Sequence, residues 1–200
     1  MATSEVTICN LALGKLGAGS IIALEEESTE ARVCRLHYAQ TRDEVFRSHR
    51  WNFAIKSEEL VQSVEVPPFG WAFQYALPSD CLRILEMNSY DLAQRPGTWE
   101  IEGRWLLTND TSARVRYIRR ITDCNLFDSL FVEALALRIA SKISMPLNGS
   151  IGLAESLLGQ YEKLTGGRAR RTDAFEAMPN RRPAWQSSDL VYSRFQQGIT

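Results

Sequence analysis

Between Leu130 and Ile143 the chain places Leu130, Phe131, Val132, Ala134, Leu135, Leu137, Ile139, Ala140 and Ile143 around almost the whole circumference of a helix. A helix with so little polar face must be central, with other elements packed around it. Asp128 offers a capping carboxylate at its start, and Pro146 implies its end, which predicts a helix over 128–145.

Three amphipathic segments can surround it. Ser4 and Glu5 open a helix over 4–16, with Ile8, Leu11, Ala12 and Leu16 before Gly17. Ser28 or Thr29 caps a second over 28–49, where Ala31, Cys34, Tyr38, Val45 and His49 share one side while Arg32, Arg35, Arg42, Asp43 and Arg47 take others. Ser150 opens a fourth over 150–176, with an apolar stripe of Ile151, Ala154, Leu157, Leu158, Tyr161 and Leu164, weakened at Gly166-Gly167.

Between about 51 and 120 the period falls to two. Trp71, Phe73, Tyr75 and Leu77 alternate with smaller or polar residues, and the pattern recurs at Leu82–Met87, at Trp99–Thr108 around Gly103, and at Ala113–Arg119. Strands grouped between helices, rather than alternating with them, predict an α+β fold. The expected architecture is a bundle of about four helices with an inserted small antiparallel β-sheet, residues 1–177 forming the body.

Beyond Met178, Pro179 and Pro183 exclude a continuous helix, yet Trp185, Leu190, Val191, Tyr192 and Phe195 are too apolar for a solvated tail. Residues 178–200 therefore read as an extended C-terminal arm that docks on something else. From Arg168 onward six arginines face Asp173, Glu176 and Asp189, a surplus of +3; with a net charge of -1 for the whole chain, the rest carries -4.

Candidate chemistry is sparse. His37 and His49, both on the second predicted helix, would have to serve any small hydrolase, and neither lies in a nucleophile-bearing loop motif. Cys9, Cys34, Cys81 and Cys124 are widely spaced among apolar residues and read as buried thiols of a reduced compartment. Neither their spacing nor the Glu25-Glu26-Glu27 run argues for a metal, and no phosphate-cradling glycine motif occurs, so no metal, cofactor or catalytic residue is assigned. The overall charge provides no general attraction to nucleic acid or membrane, and no stretch approaches a membrane span. Arg114, Arg116, Arg119 and Arg120 could contact phosphate, or could simply be the wet face of a half-buried sheet. Trp71, Phe73 and Tyr75 could stack bases, but without interleaved cations they read better as sheet core.

Three stretches, Ile8-Cys9-Asn10-Leu11-Ala12-Leu13-Gly14-Lys15-Leu16-Gly17, Arg42 through Ala54 with Trp51-Asn52-Phe53, and Gly70-Trp71 through Leu77-Pro78-Ser79-Asp80-Cys81-Leu82-Arg83, together resemble the phage tail tubular protein A family. The resemblance continues through Ile101-Glu102-Gly103-Arg104, Leu107-Thr108-Asn109, Val115-Arg116-Tyr117-Ile118 and Phe127-Asp128 with Phe131–Ala136, so it spans most of 5–165. It lies in the order and spacing of structural residues; Arg50, where the pattern has proline, departs from it.

The resemblance implies a non-enzymatic head-to-tail adaptor, located in the virion at the head–tail interface and assembled in the host cytoplasm. About twelve copies would form a ring below the portal protein. The ring would extend the channel through which genomic DNA passes without sequence readout, and would carry a nozzle or other tail proteins. Portal docking would fall to Arg181, Arg182, Trp185, Leu190, Tyr192 and Phe195 of the arm, and channel or phosphate contact to Arg114, Arg116, Arg119 and Arg120. The alternative is a small DNA-binding module built from the arginine-rich strand and the basic arm.

Overall fold

The computed structural model describes residues 3–88, 90–91 and 97–169. The arm, with all six expected portal-docking residues, and the 170–176 end of the fourth predicted helix lie outside the described residues.

The structure is α+β, with helices α1 (Glu5–Leu16), α2 (Thr29–Ser48), α3 (Ser129–Asn148) and α4 (Ile151–Lys163). Each starts at a residue suited to capping: Ser4, Ser28, Asp128 and Ser150 accept from the main-chain N–H of Thr7, Ala31, Leu130 and Leu153. Helix α3 packs against the other three, as a helix apolar on most of its circumference requires.

Two helix ends differ from expectation. Helix α3 runs through Pro146 to Asn148, ending at Gly149, whose left-handed backbone (φ 63°) lets its N–H bond the Met145 carbonyl. A proline this near the C-terminus removes one helical hydrogen bond, while the Asn148 side chain ties the last turn to the Leu16 carbonyl at 2.9 Å. Regular α4 stops at Lys163, and a π-helical turn over Leu164–Ala169 follows where Gly166-Gly167 loosen the chain.

The insertion holds seven strands in two antiparallel sheets rather than one: β1 (Ile55–Glu59), β2 (Phe73–Ala76), β3 (Cys81–Met87), β4 (Tyr90–Asp91), β5 (Trp99–Glu102), β6 (Trp105–Thr108) and β7 (Arg114–Arg119). The inner sheet runs β1-β7-β3-β4 and the outer one β2-β6-β5. Gly103, at φ 58°, turns the β5–β6 hairpin as its sequence position predicts.

The inner sheet separates two hydrophobic interiors. Leu82, Leu85, Ile118 and Ile121 join the helical core, while Ile84, Met87, Val115 and Tyr117 join Leu60, Tyr75, Trp99 and Leu106 beneath the outer sheet. Two register shifts against β7 reset the phase of β3, so Leu82 and Leu85 share the helical side although three residues apart. On β7 the alternation is simple: Val115 and Tyr117 face the outer interior, and the opposite side passes from wet Arg114 and Arg116 to buried Ile118.

Trp51-Asn52-Phe53 forms the corner between α2 and β1. The Trp51 indole N–H donates to the Val45 carbonyl at 2.9 Å, and its ring meets Phe131 edge-on at 5.2 Å. Phe131 also stacks on Phe46 at 4.3 Å and meets Phe53 and Phe127 edge-on at 5.4 and 4.8 Å. Arg50 turns outward to bond Glu86 at 2.7 Å.

Candidate functional site

Strand β7 brings Arg114 and Arg116 onto one exposed face, each with a carboxylate partner from a neighbouring strand. Arg114 meets Glu59 of β1 at 3.5 Å and Arg116 meets Glu86 of β3 at 3.3 Å. Just beyond the strand, Arg120 bonds Asp43 of α2 at 2.7 Å. Arg119 points to the other side, and its Nε is buried without a hydrogen-bond partner. The four arginines thus do not form one basic row: three sit beside acids and the fourth is turned away.

Glu59 and Glu86 line a groove of about 620 Å³ with Arg114 and Arg116, so its charge is mixed. Such a face does little to attract a polyanion at long range. On the opposite side of β7, the Tyr117 hydroxyl lies 2.9 Å from the Glu58 carboxylate and 3.1 Å from that of Asp80. Burial, then these two acids, push the phenol well above its ordinary value.

A second groove, about 640 Å³, opens between β3 and β5. Leu77, Cys81, Ile84, Trp99 and Ile101 supply apolar lining, with Arg47, Arg83, Arg104 and Glu100 around them. Arg47 donates to the Leu82 carbonyl, and Arg104 to the carbonyls of Leu77 (3.2 Å) and Pro78. Burial pushes the Cys81 thiol up to about 11, leaving it protonated near neutral pH.

The histidines occupy different settings. His37 is half-buried on α2, and burial followed by the nearby Lys142 charge pulls its pKa down. His49 lies just past the helix, buried, with its ring edge-on to Trp51 at 4.8 Å. Cys9, Cys34 and Cys124 are buried thiols of the helical core, and the Tyr38 hydroxyl sits 3.4 Å from the Cys124 sulfur. Glu26 of the acidic run accepts from the Ile22 main-chain N–H at 3.1 Å. Among the described residues no group of three or more His, Cys, Asp or Glu is arranged to hold a metal ion, and no helix is long and apolar enough to cross a membrane.

Of the three aromatics that could have been a stacking platform, Tyr75 is buried and its hydroxyl donates to the Asp110 carbonyl at 2.9 Å, while Trp71 and Phe73 are half-buried. The Trp71 indole donates to Glu100 at 3.2 Å. The second groove was not anticipated from sequence, because its walls come from β3 and β5, which pair in different sheets. No protein-family model matches the chain, and no curated protein matches it significantly.

Proposed function

We propose that this chain is a structural head-to-tail adaptor of a tailed bacteriophage, a non-enzymatic virion protein at the head–tail interface. In this reading about twelve copies close into a ring beneath the portal. The ring extends the DNA channel and carries the tail nozzle or other tail proteins. Assembly takes place in the host cytoplasm, and the genome passes through without its sequence being read.

One observation carries the reading: segments of the family resemblance that lie far apart in sequence meet in one interior. Phe46, Trp51 and Phe53 from one stretch close on Phe127 and Phe131 from another, while Ile8, Cys9, Ala12, Leu13 and Leu16 from the first stretch join the same core. Residues whose order and spacing carry the resemblance are therefore those that set the shape of the body, as suits a protein whose work is geometric. The arm supplies the remaining support: Trp185, Leu190, Tyr192 and Phe195 are apolar anchors for docking on a partner, and Arg181 and Arg182 suit acidic portal grooves.

The alternative, a DNA-binding module, draws less from the geometry, because Arg114, Arg116 and Arg120 lie beside Glu59, Glu86 and Asp43. Electron microscopy of the full chain mixed with its portal tests the adaptor reading. An added ring with the portal's own symmetry is expected; absence of any added density would refute it. Deleting residues 178–200 should abolish portal binding while the helical signal of the body persists, and full-strength binding by the truncated chain would refute the role of the arm.

A further inference from the structure

Between β1 and β2 the chain runs out into a loop whose base is fastened and whose apolar side chains are not sheltered. At the base, Ser63 N–H bonds the Gln74 carbonyl at 2.9 Å and Ala76 N–H bonds the Val61 carbonyl at 3.2 Å, so residues 61–63 extend along the free side of β2. Leu60 and Pro67 are buried. Yet Val61, Val64, Val66 and Phe69 are 78, 100, 71 and 79% exposed. Single exposed apolar residues need no explanation, but four within nine positions of one anchored loop form a patch that gains by being covered.

The same chain carries a surface of complementary character. The groove between β3 and β5 has an apolar lining, and its volume of about 640 Å³ is room for several side chains. Among the described residues, the Arg47 and Arg104 guanidiniums bond main-chain carbonyls rather than carboxylates. The loop has one charge between its exposed apolar residues, Glu65, flanked by Val64 and Val66. Arg47, Arg83 and Arg104 outnumber Glu100 around the groove, so an apolar segment with a single carboxylate matches it in character and in net charge.

The loop lies along the free side of β2 and leaves it past Phe73, whereas the groove runs along β5 and round the β5–β6 turn to Leu77 at the other end of β2. A contact between them in different copies is directional: each copy offers a loop on one side and accepts one on the other. Such a head-to-tail contact repeats until a rotation closes it into a ring, or continues as a filament.

We propose that the 61–69 loop of one copy seats in the β3–β5 groove of the next, making a head-to-tail contact between copies of this chain. The inference rests on the adaptor reading for its biological setting, but its geometry does not. The chain's own basic segment from Arg168 onward, with a surplus of +3, is a poorer occupant because it would bring like charge to Arg47 and Arg104.

Sedimentation velocity on the full chain up to its solubility limit tests the contact. Wild type is expected to self-associate with concentration. V64D/F69D, which spoils the loop, and I101D, which spoils the groove, should each weaken association by at least about tenfold. Both alter exposed positions, and unchanged circular dichroism and thermal unfolding should verify that the variants fold. Mixed in equal amounts, the two variants should recover a species that stops at two copies, because one retains only a groove and the other only a loop.

A wild type that stays monomeric throughout, a loop variant that associates as strongly as wild type, or a mixture no larger than its components would overturn the proposal. So would cross-links from a photoreactive residue at position 101 that map to residues 170–200 of the same chain instead of to another copy's loop. If the mixing result holds but the wild-type chain adds no ring to a portal, the contact stands and the adaptor reading falls. A normal ring formed on the portal by V64D/F69D has the opposite meaning.

Discussion

Replacing Phe131 with alanine removes the ring around which the body is organised. Phe131 is wholly buried and meets four other aromatic rings, those of Phe46, Trp51, Phe53 and Phe127, at centroid separations between 4.3 and 5.4 Å. A buried Phe→Ala change costs about 3–5 kcal/mol, from lost transfer energy and from the cavity left behind. Because the neighbours come from α2, from the corner after it and from the segment leading into α3, they cannot all collapse into the space. That places the expected loss in the middle of the range, about 4 kcal/mol, or nearly a thousandfold in the unfolding equilibrium. Phe131→Leu keeps most of the volume and gives up the ring contacts, for an expected loss of about 1 kcal/mol. Urea unfolding followed by circular dichroism gives both values from the midpoints at constant slope. An alanine variant that loses less than about 1.5 kcal/mol, or leucine and alanine variants that lose the same amount, would show that the five rings do not form the tight junction described.

Two further perturbations probe charge. Glu44 accepts from Arg138 at 2.5 Å and from Lys142; burial opposes its ionisation, but these two cations outweigh it and hold its carboxyl below the ordinary range. Since the side chain is 38% exposed, Glu44→Gln should cost only about 0.5–1 kcal/mol at neutral pH. A depressed folded-state pKa contributes stability above the unfolded value of about 4.3 that is lost as pH falls through the folded value, so the two proteins' urea midpoints should converge in acid. A gap that persists or widens there would contradict the assignment. For DNA, each phosphate contact adds about 0.9 to the steepness of log affinity against log salt. Arg114→Gln with Arg116→Gln should leave that slope of the full chain unchanged; a fall of about 1.8 would mean that both arginines leave their acids for phosphate.

The helices were legible because their signals are local. Ser4, Ser28, Asp128 and Ser150 each mark a start through a hydrogen bond to an N–H two or three residues on, and the 130–143 stretch, apolar on most of its circumference, could only be central. The run through Pro146 was not legible: the proline marks an end by itself, while the Asn148 bond to Leu16 that accompanies the extra turn spans 132 positions. Likewise the period-two pattern identified strands without dividing them between sheets, since pairing is non-local and the register shifts in β3 leave no mark in its composition. The wet-face reading of the β7 arginines holds for Arg114 and Arg116 and not for Arg119, and Glu59, Glu86 and Asp43 arrive from elsewhere in the chain to change what Arg114, Arg116 and Arg120 can do.

Strands β3 and β7 contribute side chains to both interiors, much as a shared wall stiffens the two rooms it divides. Tension or torque applied to the outer sheet is therefore passed through Ile84, Met87, Val115 and Tyr117 to Leu82, Leu85 and Ile118, and so into the helices. In the proposed ring, a neighbour that grips the outer sheet would therefore hold the helices as well as the strands.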